Sequence, residues 1–220
     1  MAEDTVYDRL RAEIVGGKLR TGARLVAAEI AERYASSTNP VREALQQLRG
    51  EGLVEILPNR GARVRDVGAD FVRDISEIEQ LIEPYLARAF VRMALPEDIE
   101  RLVAIQAQIE SNDFADLALH HRLDSDFHQT MYDAHYNVQA DAVWKRNRAL
   151  IDAVGHRFTV SPVRRAQVKE EHRAIIAAVR AGDEDGTARI VATHVRGSAL
   201  HLIEHIGRAD RSLSERSLAS

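Results

Sequence analysis

Cysteine is absent from the 220-residue sequence. That excludes disulfides and every metal site built on thiolates, and it agrees with a reducing compartment. No apolar run approaches the ~20 residues of a membrane-spanning helix, so no membrane partner is expected. The start, Met1-Ala2-Glu3-Asp4, lacks the basic and apolar parts of a signal peptide. A cytoplasmic protein is the expectation. A strong charge of one sign is missing as well: the formal net charge is −4, which argues against a nonspecific nucleic-acid coat.

What is present is ordinary for a globular chain with a substantial core: 45% hydrophobic and 29% charged residues. The length fits one large or two small domains. The charges divide unevenly. Residues 1–66 hold 11 Lys/Arg against 10 Asp/Glu, and the remainder holds 19 against 24. A polyanion would therefore meet the front of the chain more readily than the acidic back.

In the front third, Val6, Leu10, Ile14 and Val15 recur at helical spacing until Gly16-Gly17. A connector from Lys18 to Leu25 leads to a second helix with Ile30, Ala31 and Tyr34 on its apolar face. Ser36-Ser37-Thr38-Asn39 is a helix-start cluster, with Ser37 as the expected N-cap and Pro40 in the first turn. The third helix runs to about Arg49, with Val41, Ala44, Leu45 and Leu48 inward. Two short β-rich runs, 53–57 and 62–65, flank Pro58-Asn59-Arg60-Gly61 and read as a hairpin. Three helices and a hairpin make a winged helix-turn-helix, whose third helix enters the major groove. Arginine there reads guanine, and asparagine or glutamine reads adenine. Periodicity alone is also met by a small helical domain with plainly solvated arginines.

Asn39-Pro40-Val41-Arg42-Glu43-Ala44-Leu45, Leu48, Glu51-Gly52-Leu53-Val54 and Asn59-Arg60-Gly61-Ala62 resemble the N-terminal domain of the GntR family of bacterial regulators. The resemblance spans residues 6–66. It implies a DNA-facing set of Ser37, Thr38, Asn39, Arg42, Gln46 and Arg49 on the third helix, with Arg60, Gly61 and Arg63 on the wing. Thr21-Gly22 stands where the family usually has Pro-Gly. Ser37-Thr38 stands where it usually has Ser-Arg, so one common DNA-contacting arginine is missing.

Beyond a polar connector at 67–70, the pattern is helical throughout, without strand alternation or repeats. The expected helices are 70–93, 96–110, 113–134, 138–158, 161–181 and 183–208, followed by a flexible tail at 209–220. The fold class is thus mainly α: a winged helix-turn-helix at 1–66, a linker, and an all-α bundle at 71–208. Pro84 falls inside the first bundle helix, where it would kink the backbone.

Asp124 and His128 stand four apart on one helix and share a face. His172 and His194 lie on later helices. Facing helices of a bundle can gather such side chains around one divalent cation. Imidazoles with a carboxylate suit zinc, nickel, iron or manganese. His201 with His205, or His120 and His121 near Asp124, offer rival pairings, and satisfied or solvent-facing histidines are the plain alternative.

Asp124-Ser125-Asp126-Phe127-His128, Asn137, Glu171-His172 with Ile175, Ala178…Gly182-Asp183 and His194 resemble the FCD effector domain of the FadR branch of GntR regulators, in its six-helix subgroup. This resemblance implies one transition metal per chain on Asp124, His128, His172 and His194. It also implies a homodimer on a near-palindromic DNA operator, controlled by a small organic effector of carboxylate type. The first bundle helix of such domains often carries a pocket-facing arginine, and this chain has Glu79 there, ahead of Glu83. That departure implies an effector that is a monocarboxylate or bears a hydroxyl or amine near Glu79, or a compensating arginine among Arg122, Arg146, Arg148 and Arg157. Three rival functions remain at this point: a metalloenzyme that activates water, a metal-independent regulator, and a sensor of the metal alone.

Overall fold

A run of buried positions at i, i+3, i+4 and i+7 builds each helix that the function depends on. In the computed structural model, residues 5–15, 17–57, 61–65, 68–133, 135–155 and 158–218 are described, with side chains to Arg208. They fall into two units, one of residues 1–67 with 149–157 and the other of residues 68–148 with 158–220.

The first unit begins with α1 (Val6–Val15), β1 (Arg24–Leu25) and α2 (Ala27–Arg33). It continues with α3 (Thr38–Gly50), β2 (Val54–Leu57) and β3 (Gly61–Val64). Val41, Ala44, Leu45 and Leu48 form the buried stripe of α3 and meet Leu10, Ile14 and Ile30 in an apolar core. Along β3 the period is two: Gly61 and Arg63 face out, Ala62 and Val64 face in. The hairpin register pairs Val54 with Val64 and Leu57 with Gly61. Residues 24–25, expected to be connector, add a third strand, so the sheet runs β1-β3-β2 with β3 at its centre. The Gly22 N–H to the Val64 carbonyl and the Val64 N–H to the Ala23 carbonyl tie that edge down. Gly52 supplies the left-handed turn (φ +85°) between α3 and β2, a conformation that L side chains disfavour. Ser37 occupies the N-cap of α3 in extended conformation, as its position suggests, but its side chain makes no capping bond.

The second unit holds α4 (Ala69–Met93), α5 (Pro96–Asn112), α6 (Leu117–Tyr132), α7 (Val138–Gly155), α8 (Pro162–Arg180) and α9 (Glu184–Leu218). Leu86, Phe90, Leu102, Ile109, Phe127, Met131, Trp144, Ile175 and Val191 are among the residues of the bundle's apolar core. Helix α6 starts four residues later than its pattern suggests. Asp113 and Phe114 turn left-handed (φ 41° and 63°) and break the helical path, and Phe114 is buried. Asp116 then caps α6 by accepting from the Leu119 N–H. Ser161 caps α8 in the same way and lies just outside it. Helix α9 continues to Leu218, so helical backbone replaces the tail expected from 209. Pro84 sits buried within a continuous α4.

Candidate metal centre and DNA-facing surface

On α6, the buried stripe includes two polar residues, Asp124 and His128, among Leu123, Phe127 and Met131. Helix α8 contributes His172 and α9 contributes His194. All four are buried, and one ligand atom from each lies within 4.8 Å of the others. No other cluster of this kind occurs among the described residues. His128 Nε2 and His194 Nε2 are 3.2 Å apart, and His172 Nε2 is 3.4 Å from Asp124 Oδ1. Two donors keep about such separations when each sits ~2.0–2.2 Å from a shared cation.

The outer ring nitrogens explain why the inner ones converge. The side-chain amide of Gln106 donates to Glu110 Oε1 (2.7 Å) and to the Lys169 carbonyl (3.3 Å), which leaves its oxygen to accept from His172 Nδ1 (3.0 Å). Glu171 Oε2 accepts from His194 Nδ1 (2.8 Å). Glu83 Oε2 lies 3.3 Å from His128 Nδ1 and accepts from the Tyr132 hydroxyl (2.9 Å). Each imidazole thus carries its proton on Nδ1 and presents a bare Nε2 inward, as outer partners commonly arrange for metal-bound histidine. Without a cation, two lone pairs face each other at 3.2 Å, and the fully buried His172 Nε2 has no hydrogen-bond partner. The donor set therefore fits a divalent transition metal.

Electrostatics agree. Burial opposes the Asp124 charge, yet Arg148 and the neighbouring histidines hold its carboxyl well below the usual carboxylate range. Arg148 donates to Asp124 Oδ2 (2.6 Å) and to Ser125 Oγ (3.0 Å), leaving Oδ1 towards His172. Burial, with His194 nearby, drives the His172 imidazole well below its ordinary value. Burial lowers His194 too, against the pull of Glu171. Phe127 stacks on the His172 ring at 4.2 Å and 6°.

One turn before Glu83 on α4, Glu79 is buried and accepts from Asn147 Nδ2 (2.6 Å). Burial and then the Glu83 charge push its carboxyl up to about 9, which favours the protonated form. Of the arginines considered, Arg148 alone among the described residues bonds to the cluster. Arg122 is exposed on α6 and Arg146 on α7, and Arg157 lies outside the described residues. The rival His201 accepts from the Ser161 N–H and pairs with His205, away from the four ligands.

In the first unit, Thr38, Asn39, Arg42, Gln46 and Arg49 are exposed on α3, opposite its apolar stripe, and Ser37 is exposed at its N-cap. Gly61 and Arg63 are exposed on β3, where Glu55 pairs with Arg63 (2.8 Å). Arg60 lies outside the described residues. A cleft joins α3 to the sheet, lined by Arg24, Arg42, Gln46 and Gly61 among others. Arg24 is a further basic residue on this cleft, one that helical and strand periodicity do not single out. It is exposed and directly opposite Arg63 in the β1–β3 register. Its only sequence signal was a strand too short to stand out.

Comparison with known proteins agrees with both units. Residues 2–64 match the family described as "Bacterial regulatory proteins, gntR family", and residues 74–197, more than half of the chain, match the FCD domain. The chain is an FCD-domain member of the GntR family. This GntR regulator is 29% identical over 202 residues to the HTH-type transcriptional repressor RspR of Escherichia coli K12, covering 87% of this chain and 84% of RspR. It is 25% identical over 222 residues to the galactonate operon transcriptional repressor of the same organism, covering 91% and 96%. Among solved structures, E. coli McbR/YncC shares the fold, with a TM-score of 0.76 at 21% identity over 93% of this chain and 99% of that one. The GntR relatives are transcription regulators, not enzymes, which removes the metalloenzyme reading. No helix among the described residues is long and apolar enough to cross a membrane.

Proposed function

We propose that this GntR regulator is a repressor that acts as a homodimer on a near-palindromic operator, and that a small organic acid releases it by binding at one divalent transition metal. The observation that carries the metal reading is the convergence of three bare Nε2 atoms and Asp124 Oδ1, each held by an outer partner. Asp124, His128, His172 and His194 hold the metal, which supplies a Lewis-acid anchor for the effector carboxylate. Zinc, nickel, iron and manganese all suit this set. Arg148 keeps Asp124 ionised and oriented. Glu79 stands where the FCD resemblance implies a cation, and that favours an effector that is a monocarboxylate or bears a hydroxyl or amine near Glu79. The named repressors among its relatives support the sign of control, and the galactonate operon repressor supports an acid effector.

Asn39, Arg42 and Gln46 read bases, while Ser37, Thr38, Arg49, Arg60, Gly61 and Arg63 fix the head on the phosphates. A stripe of exposed apolar residues on α4, Ile78, Leu81 (77% exposed) and Tyr85, supports a second copy as partner. Effector binding changes operator affinity only if it favours one arrangement of the paired heads.

Elemental analysis of the untagged protein beside His172→Ala and His194→Ala tests the centre. We expect about one transition metal per chain in the wild type and none in either variant. A wild type without metal after reconstitution would leave a regulator with a purely organic pocket. Operator binding controlled by metal alone would make it a metal sensor.

A further inference from the structure

Arg164 is an arginine that the metal centre does not need as a ligand, yet it is only 4% exposed. From the start of α8 it grips Glu171, two turns further along the same helix, through both guanidinium ends: Nη1 to Oε1 and Nη2 to Oε2, each 2.9 Å. Nη2 also donates to the His194 carbonyl (3.0 Å) and to Ser198 Oγ (2.9 Å), both on α9. Glu171 Oε2, so gripped, is the atom that accepts the hydrogen bond from His194 Nδ1. The guanidinium fits because α9 has no side chain at Gly197. A Cβ there would lie 2.6 Å from Arg164 Nη1 and 3.1 Å from its central carbon.

A buried ion pair of this kind is weak evidence for stability, because desolvation offsets its attraction. Its geometry is specific, however. A bidentate pair fixes the plane of the carboxylate, and the fixed carboxylate sets the direction of the His194 ring. The same guanidinium holds the backbone carbonyl of His194, so ring and main chain are located by one group.

We propose that Arg164 is a positioning residue for the metal centre, fixing His194 through Glu171, and that Gly197 is the gap that admits it. The inference rests on the metal reading above. Two variants separate it from a packing role. Arg164→Met removes the charge at similar length. Gly197→Ala keeps every charge, suits a helix better than glycine, and displaces the guanidinium. Each full-length protein, stripped of metal, is titrated with Co²⁺ in competition with a chromophoric chelator. The visible spectrum of the bound ion is recorded, with the thermal unfolding of the metal-free form.

Both variants should bind Co²⁺ more weakly than wild type, by up to the ~10–100-fold lost when the direct partner of a ligand is removed. Their visible bands should shift, and each metal-free variant, though it unfolds earlier for want of a buried ion pair, should still be folded at the titration temperature. Ser198→Ala, which leaves Glu171 gripped, should keep wild-type affinity and spectrum. Wild-type affinity and spectrum in both variants, with His194→Ala unable to bind, would overturn the role of Arg164 and leave the metal centre standing. Weak binding by variants whose metal-free forms are already unfolded at the titration temperature, with an unshifted spectrum for the ion they do bind, would also overturn it, in favour of packing. A wild type that binds no Co²⁺ would remove the metal reading and this inference together.

Discussion

The proposed DNA-facing surface and the candidate metal centre place their residues on opposite sides of their helices. In α3 the apolar stripe is purely structural, and Asn39, Arg42 and Gln46 stand on the solvent side. In α6 the inward stripe itself carries Asp124 and His128. A surface residue can change without disturbing a core. A buried polar residue cannot, because its partners are left unsatisfied in a low-dielectric interior. The head therefore separates stability from recognition, and the bundle joins them.

The sharpest way to test that contrast is to attack the core of the head. Leu48 is fully buried on α3, and Leu48→Ala should cost about 2–5 kcal/mol in urea unfolding. Operator affinity should fall only as far as the folded fraction falls. An intact protein that cannot bind would show that core and reading face are coupled after all.

A smaller effect is expected from the outward face. Arg42→Ala should leave stability within about 0.5 kcal/mol and weaken the matched operator by about 1–3 kcal/mol, with relaxed base preference. Arg24→Ala should weaken all sequences alike and lower the salt slope by about 1. Fluorescence anisotropy over a range of salt concentrations distinguishes the two, and identical behaviour would erase the distinction between reader and phosphate contact.

The subtlest test lies in the bundle. Glu79 is raised to about 9, chiefly by burial and then by Glu83, against about 4.3 in an unfolded chain. A carboxyl raised by folding favours the folded state while protonated, and that contribution declines from about 4.3 upward until it is gone above about 9. Below about 6.5, the lowered imidazoles of His172 and His194 act in the opposite direction. The clean window is pH 7 to 9, where the Tm of metal-free wild type should fall. Glu79→Gln should flatten that fall, and an unchanged slope would sink the assignment of Glu79 as a neutral acid.

Much of this was legible in the sequence, for reasons tied to particular residues. The spacing of Val41, Ala44, Leu45 and Leu48 defines the inner face of α3, so the DNA-facing set follows as its complement. The strand at Arg24–Leu25 was not legible, since two residues carry no period and only pairing with β3 makes them a strand. The start of α6 is not legible, because Asp113 and Phe114 adopt a conformation that their side chains do not announce. The four candidate ligands could be picked out by motif. Gln106 and Arg164 could not, as they reach the site from distant stretches of chain through contacts that only the packed bundle creates. Among the arginines beside the centre, helix phase decides: Arg148 turns inward and Arg122 outward.

The polar interior of the bundle also bears on how its helices find their alignment. Apolar side chains from neighbouring helices can slide past one another by a turn and still make contacts of similar worth. Glu83 on α4, Gln106 on α5, His128 on α6, Asn147 on α7, Arg164 on α8 and His194 on α9 cannot, because each meets its partner at one height only. A buried polar network of this kind favours a single register for all six helices. Swapping it for leucines of matching volume would be expected to yield a bundle that still collapses but no longer chooses one alignment.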